Sequence, residues 1–266
     1  MFNLKIVGTL ILFIAVAIEI ILRLVHSADK KLKKDMLVNF LLGLGLAIVG
    51  LLEKAIAFGF FSLVYRFSIY TPGFSWWLWI AGFFGCEFSF YLFHWVGHKT
   101  RIFWAAHVTH HSSQYYNLTV AARVNFIFLL YRFLFWAPLC LIGIPPEMII
   151  FIDSTSSIPT FFIHTEKVGK LGWLDWFFNT PSNHRVHHAS NPQYLDKNFG
   201  GVLMIYDHLF GTYVKETDTP IYGLTNNIDS FNPGNLLFHE YVRMGREFLK
   251  IKSFSAKFRY LFSRPQ

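Results

Sequence analysis

The sequence predicts an all-α protein: several membrane-spanning helices that carry a cytoplasmic, histidine-rich cap suited to two metal ions. Three observations lead there. Hydrophobic residues make up 53% of the 266 and charged residues only 15%, too apolar a balance for a soluble domain of this length. The apolar residues fall into runs close to the roughly 20 needed to cross a hydrocarbon core about 30 Å thick. Of the 12 histidines, most crowd into a few short strings instead of being scattered.

The first run, 4–25, lacks a small-residue cleavage site before a polar mature region, so it reads as a retained anchor and not as a removed signal. Lys30, Lys31, Lys33 and Lys34 follow, and the preference of basic loops for the inside places this connection in the cytoplasm. A second span covers 36–52. The stretch 55–69 is apolar but interrupted by Arg66, and is expected to lie in the interface; an extra span is the alternative, and would put the histidines opposite the lysines. A third span, 75–93, opens on Trp76, Trp77 and Trp79, which suit the outer interface, and delivers His94 to the cytoplasmic side. Spans 125–144 and 148–163 are separated by Pro145 and Pro146, where a helix cannot continue, and read as a hairpin returning to His164.

The remainder, 94–124 and 164–266, forms the cap, and the whole of 1–266 then makes one domain. Gly169, Gly172, Pro181, Pro192, Gly200 and Gly201 predict short helices and loops there. From Leu236 the tail is a basic amphipathic helix candidate, with Leu237, Tyr241, Met244 and Phe248 at helical spacing and Arg243, Arg246, Lys250 and Lys252 supplying charge. The net charge of +8 is read as contact with anionic headgroups, not with nucleic acid. Cys86 and Cys140 both lie in apolar runs, which argues for buried small hydrophobes and against a disulfide or a thiolate metal site.

The histidine spacings carry the chemistry. His94 and His98 stand one helical turn apart, so both rings lie on one face. The string HVTHH places His107, His110 and His111 on a helix face, and HRVHH repeats the arrangement with His184, His187 and His188; His164 stands alone between them. Crowded imidazoles without a partner are costly to bury and repel one another when protonated, and metal removes both difficulties. So many neutral imidazoles exceed what one ion uses and suit two. Glu87 and Tyr91 precede His94 on the same helical face and either orient ligands or are polar groups satisfied within a bundle. His26 and His239 read as ordinary surface polarity, and His208 as a fold contact or a supporting donor. A histidine-rich zinc or copper transporter is the non-enzyme alternative, but its ligands would form a path across the bilayer, whereas these gather at one face. An inactive metal scaffold is disfavoured by the number of histidines.

The order HxxxH, HxxHH, HxxHH on one side of a helical membrane protein resembles the fatty acid hydroxylase and sterol desaturase superfamily. The strings HHSSQYYNLT and NTPSNHRVHH bring the resemblance closest to its alkylglycerol monooxygenase branch, and the similar segments are 90–125, 161–203 and 205–213. The resemblance implies two iron ions, dioxygen as co-substrate, a lipid substrate, and electrons from a reduced pterin or an external electron-transfer protein. The outcome would be hydroxylation, with sterol, fatty acid or carotenoid desaturation or hydroxylation as the alternative. By position it assigns the metal to His94, His98, His107, His110, His111, His164, His184, His187 and His188. Asp207 and His208, in IYDHLFGTY, become supporting candidates. There are departures: Lys99 follows the second histidine where the branch is often acidic, Glu87 stands where aspartate is usual, and Val168 replaces a histidine that some members carry, with Glu166 nearby as a weak substitute ligand or water anchor. A substrate chain that must reach the metals implies an apolar cleft lined by Phe and Trp.

Overall fold

A computed structural model describes residues 14, 17–23, 25, 27–72 and 75–265. The expected first span, 4–25, lies largely outside the described residues, and His26 wholly so. Helix α1, Lys30–Tyr65, begins where the Asp29 carboxylate accepts the amides of Lys31 (2.8 Å) and Leu32 (3.3 Å), satisfying donors that the first turn cannot pair internally. Its 36 residues extend over about 54 Å. Here the structure differs from expectation: residues 55–65 continue the same helix and do not form a separate interfacial segment. Glu53 and Lys54, just past the expected end of the second span, are accommodated within the fold, Glu53 being buried and Lys54 donating to Asp153 at 3.3 Å, while Arg66 is the residue that caps the end.

Helix α2, Trp76–Lys99, runs back towards the start of α1 and extends past 93 to include both His94 and His98. Thr100, extended at φ −129° and ψ 133°, is the one-residue corner between it and α3, Arg101–His111. The stretch 125–144 departs most from expectation. In place of one helix it holds two 3-10 turns, Phe126–Leu130 and Arg132–Phe135, and the short α4, Ala137–Leu141. Pro138 has no amide to continue a ladder, Asn125 closes a tight turn onto Ile127 N (3.0 Å), and Arg132 turns inward to Asp153 with its guanidinium 5.0 Å from the Trp136 ring centre. Helix α5, Pro146–Phe162, starts two residues ahead of the expected 148, on the second proline of the break, and ends just before His164.

Two sets of contacts fix which ends meet. At one end, Ile69 N donates to Leu141 O (2.9 Å), and Gly143, at φ +97°, lies so close to Tyr70 that a Cβ would stand 2.2 Å from its carbonyl oxygen. At the other end, Asp35 and Asn39 of α1 both accept from Arg123 at 2.9 Å, and Arg123 donates to Thr109 O (3.1 Å), between the histidines of α3. The lysine-bearing end of α1 and the histidine-bearing ends of α2 and α3 therefore share one end of the bundle. Its core joins Phe61, Leu78, Phe93, Trp136 and Ile149 with Cys86 and Cys140, which are free thiols. Outward faces stay apolar: Ile48, Leu51, Leu52 and Trp76 are each more than three-fifths exposed. Among the described residues, α1 is the one helix both long and apolar enough to cross a membrane.

The cap is built from the short helices α6, Leu174–Phe177, α7, Pro181–His188, and α8, Ile205–Phe210, tied by single antiparallel bridges at Phe178/Leu203 and Ala189/Tyr222. No strand occurs among the described residues. The tail forms α9, Pro233–Lys250, and α10, Phe254–Phe262, with Lys252 in the connection between them. It is fastened to α3: Leu236 O accepts from Thr109, and the buried Arg101 reaches Glu247 and Arg264 O.

Candidate metal centre

Four elements aim their histidines into one space. The end of α2 supplies His94 and His98, α3 supplies His107, His110 and His111, the residue pair after α5 includes His164, and α7 supplies His184, His187 and His188. The rings sort into two groups: His94, His98, His107, His111 and His187; and His110, His164, His184 and His188. Within each group the candidate ligand atoms lie within 4.8 Å of one another. Neither HxxHH string stays together. The first gives two rings to the larger group and His110 to the smaller; the second gives His187 to the larger and two rings to the smaller. The groups adjoin, with His111 stacked on His188 at 4.4 Å between ring centres.

The local bonding prepares these rings as electron-pair donors. His94 Nδ1 bonds to Phe199 O (2.9 Å), His187 Nδ1 to Lys197 O (2.9 Å) and His164 Nδ1 to Phe161 O (3.2 Å), while Asp196 stands 3.6 Å from His98 Nδ1. A carbonyl can only accept, so the proton sits on Nδ1 and Nε2 carries the lone pair. Those Nε2 atoms converge: His107 Nε2 is 3.1 Å from those of His94 and His111, and His164 Nε2 is 3.3 Å from that of His110 and 2.9 Å from that of His184. The Nε2 atoms of His98, His187 and His188 are buried with no hydrogen-bond partner. Burial, then neighbouring imidazoles, holds His107, His110, His111, His184, His187 and His188 well below the ordinary histidine value. Burial likewise takes His94 to about 3 and His164 to about 4. Neutral, converging, unpaired imidazoles are the donor set that borderline divalent ions of the iron, zinc and copper kind accept, and each group is able to hold one.

The supporting residues meet at one loop. Asp207 accepts from Phe199 N (2.8 Å), Gly200 N (2.7 Å) and the Thr212 hydroxyl (2.6 Å), and Thr212 also contacts Tyr91 Oη at 3.1 Å. Glu87 accepts from Val202 N (2.7 Å) and Leu203 N (2.9 Å). Glu87, Tyr91 and Asp207 thus hold the segment whose carbonyls hold His94 and His187. Glu166 is exposed and His208 bonds to Trp176 O (2.9 Å) while stacked on that ring, so neither joins the histidine groups. Phe199 O, Lys197 O and Asp196 were not foreseen. A signal was present in DKNFGG: Asp196 (φ 59°) and Asn198 (φ 57°) are left-handed, and a Cβ on Gly200 would lie 2.3 Å from Leu203 O. An apolar cavity of about 330 Å³ leads from His107, His110, His164 and His184 past Phe90 and Phe128 to Trp136 and the Arg132–Asp153 pair.

A family model described as fatty acid hydroxylase matches residues 79–212. The chain belongs to the fatty acid hydroxylase family. It is 39% identical over 208 residues to an alkylglycerol monooxygenase of Xenopus tropicalis, covering 77% of this chain and 46% of that protein. To the alkylglycerol monooxygenase of Homo sapiens it is 40% identical over 189 residues, 71% of this chain and 42% of the relative. An ornithine lipid hydroxylase of Rhizobium tropici is 31% identical over 128 residues, 48% of this chain and 39% of its own. The chain spans less than half the length of each of these relatives. No solved structure matches it. All nine clustered histidines and the loop that orients them fall inside the fatty acid hydroxylase segment; α1, α9 and α10 fall outside it.

Proposed function

We propose that this chain is a membrane-embedded di-iron oxygenase that hydroxylates a C–H bond of a lipid with dioxygen. The observation that supports this best is the pair of adjoining all-histidine groups forming one end of an apolar cavity. Five imidazoles, His94, His98, His107, His111 and His187, would hold one iron ion, and His110, His164, His184 and His188 the other. Bound there, ferrous iron supplies the means to activate dioxygen with electrons from outside the chain, from a reduced pterin or a redox protein. The protein's part is placement. Phe199 O and Lys197 O fix two rings through their Nδ1 protons, Asp207 holds the amides of Phe199 and Gly200 beside them, Glu87 holds the same loop at Val202 and Leu203, and the aromatic walls exclude water while admitting an alkyl chain. Ring crowding that is unfavourable in the free protein becomes a set of ligands.

The relatives' names favour an alkylglycerol-type or other polar lipid as substrate. The exposed apolar faces of α1 and α2 favour several spans within one domain covering 1–266, because a water-facing helix would carry polar residues there. The lysines at the histidine end favour the cytoplasmic face, which is the plasma membrane in a bacterium and the endoplasmic reticulum in a eukaryote. Untargeted lipid analysis of cells with and without the protein, under air and under nitrogen, tests the reaction. A lipid gaining one oxygen or losing an ether chain in air alone is the expected result; an unchanged lipid profile beside well-folded, iron-loaded protein overturns it.

A further inference from the structure

The wall of the apolar cavity carries, among the described residues, one buried hydrogen-bond acceptor without a partner that neither the fold nor the metal reading uses. Asn179 lines the cavity together with His110, His164 and His184. Its main chain is fixed by N–H to Val202 O (2.8 Å), and its side chain by Nδ2 to Gly200 O (2.6 Å). The second bond also settles the amide's orientation, since only the nitrogen can donate to a carbonyl. The other atom is therefore Oδ1, and it accepts no hydrogen bond although Asn179 is 6% exposed. Of the other polar groups of the wall, Glu87 is satisfied by two backbone amides, Arg132 and Asp153 by each other, and Thr160 by Ser156 O, whereas the Nδ1 atoms of His110 and His184 have no partner and, with Nε2 turned to a metal, are N–H donors, not acceptors. Trp136 Nε1 is also unpartnered, and Trp136 borders both this cavity and a void of about 10 Å³ beside Glu53 and Asp153, but an indole N–H is a donor, which leaves Asn179 Oδ1 as the unpaired acceptor.

A buried acceptor with no donor is retained at a cost in stability, and a ligand that brings a donor relieves it. We propose that Asn179 is the substrate-recognising residue, its Oδ1 accepting a hydrogen bond from an O–H or N–H that the lipid carries close to the carbon presented to the histidines. This deepens the oxygenase reading and rests on it. It narrows the substrate to polar lipids whose donor enters at the histidine end while the alkyl chain runs towards Phe128 and Trp136. Plain hydrocarbons and lipids with capped headgroups would bind poorly, because they leave Oδ1 unpaired.

The test compares binding to the purified, iron-loaded protein in detergent, read by competition with a fluorescent alkyl lipid. The probes are O-hexadecylglycerol against its di-O-methyl derivative, and hexadecanamide against its N,N-dimethyl derivative; the two pairs separate a hydroxyl donor from an amide donor. At least one pair should differ about tenfold in favour of the donor-bearing member, and Asn179→Leu should abolish that preference without loss of iron. Equal binding within both pairs by the unaltered protein overturns the proposal, and that comparison stands even where the variant does not fold. Preference that survives Asn179→Leu also overturns it. So does loss of iron along with the preference, which would make Asn179 a support for His184 instead. Oxygen-dependent conversion followed in parallel keeps the two readings apart: intact discrimination with no conversion of any probe counts against the oxygenase and not against Asn179.

Discussion

Removing a single imidazole tests whether the two HxxHH strings serve one centre. His110→Ala and His187→Ala, one from each string and one from each group, are each expected to abolish oxygen-dependent lipid conversion at equal protein level, with the double variant losing little more. His239, half-buried on α9 and bonded to backbone carbonyls, provides the control, and His239→Ala should stay active. Normal conversion by His187→Ala would leave the second string without a role. Behind the histidines, Asp207→Asn keeps one accepting oxygen but turns the other into an amide donor facing an N–H, breaking at least one of three hydrogen bonds to Asp207, so iron retention against a chelator should weaken by about tenfold to a hundredfold; unchanged retention would mean that the 199–203 loop is held by other contacts. At this scale the sequence was most legible where function needs a particular side chain. Eight histidines at helical spacings and the lone His164 marked the region that the fold brings together, while Glu87 and Tyr91 stood out only by their place on the His94 face and Asp207 only through the resemblance. What stayed hidden was the work of main-chain carbonyls: any residue at 197 or 199 offers one, so Lys197 and Phe199 carry no mark of it. His208 and Glu166 were visible as polar residues near the right strings, yet only the folded path shows that one stacks on Trp176 and the other faces out.

Among the elements, α1 and the stretch after Asn125 show how a pairing elsewhere in the chain can undo a local signal. Glu53, Lys54 and Arg66 look like the edge of a span, but Lys54 finds Asp153 a hundred or so positions on, and the helix passes through. Arg132 finds the same carboxylate, and the run expected to be a regular span becomes tight turns around that contact. The break at Pro145 and Pro146 was readable in sequence, although α5 begins on Pro146 and not at 148; short helices were expected in the cap without bounds, and Pro181 opens one of them, α7. Packing of α1 against the turns is close: a Cβ on Gly45 would lie 2.3 Å from the Phe126 ring. Gly45→Leu should therefore destabilise the protein by about 1–3 kcal/mol, read as a lower melting temperature in detergent. The sidedness of the bundle is tested by reporter tags. Tags after Lys33 and after Gln266 should report cytoplasm and one after Pro145 should not; a tag after Gln266 found outside would invert the proposed arrangement.

For the molecule as a whole, the histidine centre lies where the helix bundle, the loop of 196–203 and the tail helices meet, so metal and fold should be linked. Chelation is expected to lower the melting temperature and to increase proteolysis within the cap, and restored ferrous iron should reverse both; identical melting with and without iron would mean that the cap is held without metal. The division of each HxxHH string between the two groups has a further consequence, in the shape of the titration. An ion captured by His107, His111 and His187 immobilises α3 and α7, and the same two helices present His110, His184 and His188 to the second ion. The conformational entropy of holding them is then lost once and serves both events. Iron uptake by the empty protein should rise sigmoidally, with a Hill coefficient above one and approaching two, and singly loaded protein should be scarce at every concentration.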